Sequence, residues 1–431
     1  MMSGWSNWSG SVTAQPGVTG RPRNLDELAG LVRQAQKVRV VGAGHSFMPL
    51  VHTDDTLISL ADLEGRIDIA ADRKTVWAPA GWSLDRLTGA LWEAGLSMIN
   101  QGDINPQSLA GATATGTHGT GAELGSIATQ ACGFRLMQAD GSLIECGPGL
   151  HADLYEAQRL SLGLFGAATE IRIEVLPAYH LEERISRMRL GEVAERLDEL
   201  AAATRHMEFF VFPYSDHVIF KTLHPAEPEG EFVDSADIDE TVFRLVCELG
   251  AAATPMIPTL QRMLMRMSGQ QTRRIGPAWK IFPSERTIRF EEMEYELPRA
   301  NGMQTLKAAI DHIRSRRMPI AFPFEFRLTA GDDIWMSPFN KGAGASISFH
   351  QYAGMPWRSA FGEIEAILQA GEGRPHWAKR HTLATADVYR LYPRTPDFLA
   401  AREAADPQQK FANAHLTELF GLDSSRAGKA A

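Results

Sequence analysis

Val38 to Met48 reads VRVVGAGHSFM, and this stretch decides how the chain is understood. Its β-branched start predicts a strand. Gly42 and Gly44 break that strand, and His45 follows at once. Glycine lets the backbone come close to a ligand and leaves N–H groups open to phosphate oxygens. A dinucleotide fold of the Rossmann kind needs G-x-G-x-x-G opening a helix. Here Ser46-Phe47-Met48-Pro49 comes instead, and Pro49 discourages a helix through that point. The loop is therefore expected to hold a different ligand, with a histidine pinned beside it.

A second segment completes the pattern. Gln107 to Gly121, QSLAGATATGTHGTG, is almost wholly Gly, Ala, Ser and Thr after Leu109. Such a run is expected to lie against a ligand and offer backbone N–H and hydroxyl groups rather than to build core. Thr113, Thr115 and Thr117 make it stiffer than a Gly/Ser linker.

The chain has 431 residues, long enough for two domains, and its apolar content of 44% can fill both cores. A formal charge of -9 leaves no basic stripe for nucleic acid. The start, MMSGWSNWSGSV, lacks a basic-then-apolar leader, and no run approaches the ~20 apolar residues of a membrane span. A cytoplasmic protein without a transmembrane segment is expected. Cys132, Cys146 and Cys247 show no CxxC spacing, so neither a disulfide framework nor a metal site is expected.

Asn24 and Glu27 predict a helix start, with Leu25, Leu28, Leu31 and Val32 on its apolar face up to Gln36. Leu57–Leu60 and Thr75–Ala78 read as strands, Ser83–Ala94 as a helix, and Ala139-Asp140-Gly141-Ser142 as a hairpin turn. EIRIEVL, ending before Pro177, alternates with period two, and the first domain boundary is placed there. Helices Gly191–Ala203 and Thr305–Arg316 then alternate with strands Met207–Phe212, Arg289–Leu297 and Ser346–Tyr352. In Arg289–Leu297 the glutamates Glu292, Glu294 and Glu296 share one face, read as solvated or salt-bridged. The acid-rich stretch from His224 to Asp239 reads as a mobile surface loop.

Four motifs together resemble a known family: GAGHS at 42 to 46, GDINPQSLAGATATGTHGTG at 102 to 121, FEFRLTAGDDIWMSP at 324 to 338 and RPHWAKRH at 374 to 381. They resemble FAD-linked enzymes of the vanillyl-alcohol-oxidase type, in the sugar-lactone and alditol branch. The likeness is closest to bacterial L-gulono-1,4-lactone and D-arabinono-1,4-lactone oxidases or dehydrogenases. It runs from Asn7-Trp8-Ser9-Gly10 to DPQQKFANAHLTELFG at 406 to 421. The resemblance implies an α+β chain in which residues 1–177 bind FAD, 178–375 form a substrate cap of antiparallel sheet flanked by helices, and 376–431 return to the FAD domain. It implies that His45 carries FAD covalently through the flavin 8α-methyl group. Further cofactor contacts are expected from Val41, Gly42, Ala43, Gly44, Ser46, Ser108, Gly111, Thr115, Gly116, Thr117, His118, Ala168 and His376. The region of Ala110-Gly111 has no cysteine, so a second covalent anchor is not expected.

Glu325 and Arg327 stand one residue apart in an apolar, extended run, so both emerge from one strand face. Spacing alone leaves open a partly buried salt bridge or a substrate-binding pair. The resemblance places them on substrate hydroxyls over the flavin, with Lys379 as a third catalytic group that helps to stabilise negative charge. Glu325 is the candidate base, kept ionised by its neighbour Arg327. His350 is an alternative base facing either the site or the core, and Gln351 is placed with it at the substrate. Asp103 stands where the alditol branch has a serine, which favours a lactone. The resemblance places Gly102, a small residue, against the flavin edge, where it is expected to leave room for dioxygen. His381 reads as structural.

The expected activity is oxidation of a sugar lactone, with an alditol oxidase as the alternative. A flavin- or nucleotide-binding module without turnover would not need Glu325, Arg327 and Lys379. Dioxygen, a quinone or a cytochrome all remain open as electron acceptor.

Overall fold

In the computed structural model, residues 4–229, 240–268, 272–284 and 286–423 are described. Parallel strands need a crossover, and the chain supplies one early. Helix Leu25–Gln34 connects Val18–Gly20 to Val38–Val41, and both strands pair in parallel with Thr56–Ser59 between them. Asn24 caps this helix by accepting from the Glu27 N–H at 2.9 Å, and Leu28, Ala29 and Val32 pack onto the strands.

An antiparallel sheet follows in the order Leu143–Cys146, Ala131–Met137, Ala167–Pro177, Thr75–Pro79, Asp68–Ile69, and Leu96–Met98 also pairs with Ala167–Pro177. The expected hairpin is present, with Gly141 at φ +80 in its turn. Helix Leu84–Glu93 packs here through Leu84, Leu87 and Leu91. The small-residue run contains a helix that its composition concealed. Leu109–Thr115 is helical, capped by Ser108, which accepts from the Gly111 N–H at 3.1 Å, and closed by Gly116 at φ +75. Leu109 and Ala112 join the core, so the run does contribute to packing, and its small side chains let the helix lie close to the sheet.

The third layer is an antiparallel sheet of eight strands: Thr272–Pro277, His180–Arg189, His217–Ala226, His206–Val211, Phe324–Thr329, Gly344–Tyr352, Phe290–Pro298 and Arg374–Pro375. Its two faces differ sharply. One carries Phe209, Phe324, Phe326, Ile347, Phe349 and Tyr295 beneath helices Leu190–Glu195, Leu197–Ala202, Arg299–Arg316 and Arg358–Ala370. The opposite face carries Glu208, Glu292, Glu294, Glu296, Glu325 and Arg327, all buried. The single helix expected over Gly191–Ala203 is two short ones meeting at Arg196. The loop expected from His224 begins later, because His217–Ala226 is a strand; residues 230–239 lie outside the described residues. Together these elements make a two-domain α+β architecture, and among the described residues no helix is long and apolar enough to cross a membrane.

Helices Thr385–Leu391, Thr395–Ala405 and Ala414–Phe420 close the chain against Leu50, Leu160 and Phe165. Asn413 joins this segment to the residues that follow the GAGHS loop. Its oxygen accepts from the Leu416 N–H at 2.9 Å, capping the last helix, and its nitrogen donates to the Pro49 and His52 carbonyls at 2.9 Å each. Asn413→Ala should therefore lose a cap and the donor that serves these half-buried carbonyls, at a cost of about 2 kcal/mol. A lower melting temperature in thermal denaturation is the expected result; an unchanged one would show that this tie carries no net weight.

Candidate active site

The loop after Val41 works by close approach. A Cβ on Gly42 would sit 2.2 Å from the Ser108 hydroxyl, so only glycine lets the strand end meet the N-terminus of helix Leu109–Thr115. Gly44 is left-handed at φ +70 and lies against Trp5, where a Cβ would be 3.1 Å from the ring. His45 is thereby presented with its ring stacked on Trp8, centroids 5.4 Å apart. Burial, and then Lys379, push its pKa down to about 4, so the imidazole is neutral.

Two cavities meet at this histidine. One, of about 1040 Å³, is lined by Val41, Gly42, Ala43, Gly44, His45, Ser46, Ser108, Gly111, Thr115 and Ala168, together with Gly81, Gly163 and Gly166. The other, of about 720 Å³, lies over the polar face of the large sheet and is lined by Asp103, Thr117, His118, Arg286, Glu292, Glu294, Glu325, Arg327, His350, His376 and Lys379. His45, Gln107 and Ala378 belong to both walls. Gly116, expected at the cofactor, lines neither cavity; it ends the helix in a left-handed turn, where a Cβ would press on Leu160 at 2.9 Å. Gly102 abuts Thr117, whose methyl would be 3.0 Å from an added Cβ.

Register builds the floor of the second cavity. Glu292, Glu294 and Glu296 pair across the ladder with His350, Ser348 and Ser346, and the latter two pair in turn with Glu325 and Arg327. Of the two readings of these glutamates, solvated or salt-bridged, burial removes the first and the second holds: all three are buried and form ion pairs. Lys379 donates to Glu292, which also lies 3.4 Å from His350. Glu294 accepts from Arg327 at 2.7 Å and from Ser346 at 2.6 Å. Burial opposes its charge, but Arg327 and His118 outweigh that and hold it well below the usual carboxylate range. His118 has the Gly119 carbonyl 2.8 Å from one ring nitrogen and both Glu294 and Glu296 3.2 Å from the other. Burial resists its protonation, yet the two carboxylates raise its pKa to about 9, so a charged imidazolium is buried there.

Strand alternation also decides between His350 and Gln351. His350 faces the cavity, with Nδ1 2.9 Å from the Pro323 carbonyl. Gln351 faces the other way. Its amide accepts from the Ala321 N–H at 3.1 Å and donates to the Pro319 carbonyl at 2.8 Å, so it ties down a connection and does not reach the cavity expected for it. In RPHWAKRH, His376 lines the cavity with Nδ1 accepting from the Ala378 N–H at 3.1 Å. Trp377 is core, donating to the Met336 carbonyl at 2.7 Å, and His381 is buried, accepting from the Leu383 N–H at 3.3 Å.

Glu325 differs from expectation in its charge. Arg327 is near, with Nε 3.6 Å from Glu325 Oε1, but Arg327 donates its hydrogen bonds to Glu294 and Ser348. Burial, reinforced by Asp103 and Glu208 and only partly offset by Arg327, pushes the Glu325 carboxyl up to about 8. Arg327 therefore does not keep it ionised at neutral pH, and its buried Oε1 has no hydrogen-bond partner in the protein. Asp103 reaches the cavity as half of an ion pair, accepting from Arg286 and, at 3.2 Å, from Ser284. Burial raises its pKa, but Arg286 and then Lys221 outweigh that and leave it below its usual value. Arg286 sits in FPSERT, which carries no periodicity that would have marked it. Glu208 and the three glutamates could have been found by stacking the polar rows of consecutive strands.

A flavin dinucleotide suits this pair of cavities. The first offers glycine backbone on both walls of a cleft. The second offers a charged floor whose Glu325 Oε1 and Arg327 Nε still lack partners.

The sequence pattern of the D-arabinono-1,4-lactone oxidase family matches residues 171–419, and that of an FAD binding domain matches residues 16–147. The L-gulono-1,4-lactone dehydrogenase of Mycobacterium tuberculosis is 35% identical over 427 residues, 97% of this chain and 99% of its own. The alditol oxidase of a Streptomyces species is 27% identical over 436 residues, 97% and 100% of the two chains. Among solved structures, a solvent-stable cholesterol oxidase has the same fold, with a TM-score of 0.80 at 18% identity over 97% of each chain.

The state of Glu325 has a measurable sign. An unfolded carboxyl ionises near 4.5, whereas the folded one holds its proton to about 8. Stability is thus unaffected below the unfolded value and is lost progressively as pH rises between the two. Glu325→Gln removes that loss, so its melting temperature should gain on the parent protein's from pH 5 to pH 8. A difference that does not vary with pH would place the Glu325 pKa at its ordinary value.

Proposed function

The chain belongs to the D-arabinono-1,4-lactone oxidase family of FAD-dependent oxidoreductases, and on that premise we propose that it oxidises a ring hydroxyl of a sugar-derived 1,4-lactone. L-Gulono-, L-galactono- and D-arabinono-1,4-lactone are the candidate substrates. The observation that carries this reading is the pairing of Glu325 and Arg327 beside Lys379 on the floor of a cavity that opens to His45. We assign residues 1–177 to holding the cofactor, 178–375 to the cap and 376–431 to the returning segment.

Bound FAD supplies the acceptor for the hydride that leaves the substrate carbon. The remaining work falls to the protein's own groups. The glycine-lined cleft from Val41 to Ser46 would take the diphosphate, its backbone close enough to offer N–H groups to the phosphate oxygens. Glu325 in its ionised form takes the proton of the substrate hydroxyl. Arg327, charged at any working pH, and Lys379 face the negative charge that collects as the hydride departs. Asp103, locked by Arg286, stands beside Glu325 and adds fixed acceptor oxygens to the same wall. Such a preorganised wall favours a ring whose hydroxyls are already fixed over an open chain that must freeze several torsions.

His45 is proposed as the covalent tether. Its place on both cavity walls, its stacking on Trp8 and its neutral imidazole support this, since only an unprotonated ring nitrogen has a lone pair to give. His45→Ala should retain FAD only non-covalently, so that the fluorescent band of the parent on a denaturing gel disappears. A fluorescent band in the variant would reassign the linkage.

Substrate choice gives the second test. kcat/KM should be higher for L-gulono- or L-galactono-1,4-lactone than for xylitol or sorbitol. The 27% identical alditol oxidase makes the opposite outcome a specific alternative. Equal or better turnover of the alditols would select it and leave the flavin chemistry in place.

A further inference from the structure

Glu208 shares the polar sheet face with the cavity floor, one strand behind Glu325. On strand His206–Val211 it pairs in register with Arg327 on one side and Lys221 on the other, while Phe210 is opposite Glu325. Glu208 and Glu325 are therefore diagonal neighbours on one face. The carboxylate oxygens of Glu208, Glu325 and Asp103 come within 4.8 Å of one another. Three negative charges that close cannot coexist without cations between them.

The cations are unevenly shared. Arg286 serves Asp103. Lys221 lies 3.1 Å from Glu208 and 3.4 Å from Glu183, which Arg274 also pairs. Arg327 lies 3.6 Å from Glu325 but gives its hydrogen bond to Glu294. His206 also adjoins the cluster, with Nδ1 2.7 Å from the Thr120 carbonyl; burial makes its ring neutral, so it adds no charge. Lys221 thus takes Glu208 Oε1, whereas Glu325 keeps one buried oxygen, Oε1, without a hydrogen-bond partner.

We propose that Glu208 is a positioning residue for proton transfer: held by Lys221 behind Glu325, it sets the pH at which Glu325 can take the substrate hydroxyl proton. This rests on Glu325 being the base, as proposed above. The substrate C–H bond breaks with its electron pair passing to bound flavin, the O–H proton passes to Glu325, and the carbonyl forms between carbon and oxygen.

The test is the rate of anaerobic flavin reduction in the FAD-loaded enzyme, followed by stopped flow across a pH series. The probe is L-gulono-1,4-lactone, or xylitol if that is the compound turned over. The parent rate should rise with pH through about 8. Glu208→Gln removes a negative neighbour, so the limb should move down by about one to two pH units. Lys221→Met removes a positive one and should move the limb up. Should either variant fail to fold, the other carries the test with its own sign. Limbs at the parent position in both, with Glu325→Gln abolishing the limb, would remove Glu208 from the reaction and leave the base in place. A Glu325→Gln enzyme that keeps both rate and limb would overturn the base assignment, and this proposal with it.

Discussion

The structure depends on keeping a row of charges buried between two domains. One face of the large sheet is apolar and helix-covered, an ordinary arrangement for an antiparallel sheet. The other face would normally meet water, yet here its glutamates and arginine are buried under the loops that carry His45, Asp103 and His118. Burying a carboxylate is tolerable only with a partner or a use. Most of these have partners: Lys379 for Glu292, Arg327 and His118 for Glu294, Lys221 for Glu208. Glu325 has the weakest match, and its proton affinity rises accordingly. The site's reactivity and the sheet's unusual polarity thus have one origin.

The domain that covers this face is shaped by small residues at its points of contact. Gly42 admits Ser108, Gly81 comes within van der Waals limits of the Leu60 carbonyl, and Gly119 crowds the Gln101 carbonyl, each at a place where a Cβ would collide. These close approaches leave a glycine-walled cleft that leads to His45. Far in sequence, Ala378 belongs to the same wall, and the Phe47 N–H donates to its carbonyl at 2.7 Å. RPHWAKRH therefore holds the histidine loop in place as well as contributing Lys379.

Much of the fold was legible because local signals agreed. Asn24, Ser83 and the Gly141 turn mark element ends by caps and handedness, and the structure has those ends within a residue or two. Helix Leu109–Thr115 escaped notice although its signals were present, Ser108 before it and Gly116 after it, because composition suggested a ligand loop first. The site was legible as residue types and incomplete as geometry. Alternation put Glu325 with Arg327 on one face, but Gln351 was placed at the substrate beside His350 although neighbouring strand residues face opposite ways, and nothing local says which face is inward when both are buried.

The sequence by itself determined the strand-loop-histidine motif, the α+β texture, the absence of basic or metal-binding patterns, and the flavoenzyme resemblance, since all of these are written in runs of neighbouring residues. Only the tertiary structure decided that Glu292 and Glu294 line a site, that Arg286 locks Asp103, and that Glu325 holds its proton to about 8. The reason is electrostatic: the charge state of a buried carboxyl is the sum of desolvation and of every charge within a few ångströms. For Glu325 those neighbours come from three separate parts of the chain, Asp103, Glu208 and Arg286, so spacing along one strand could show only Arg327.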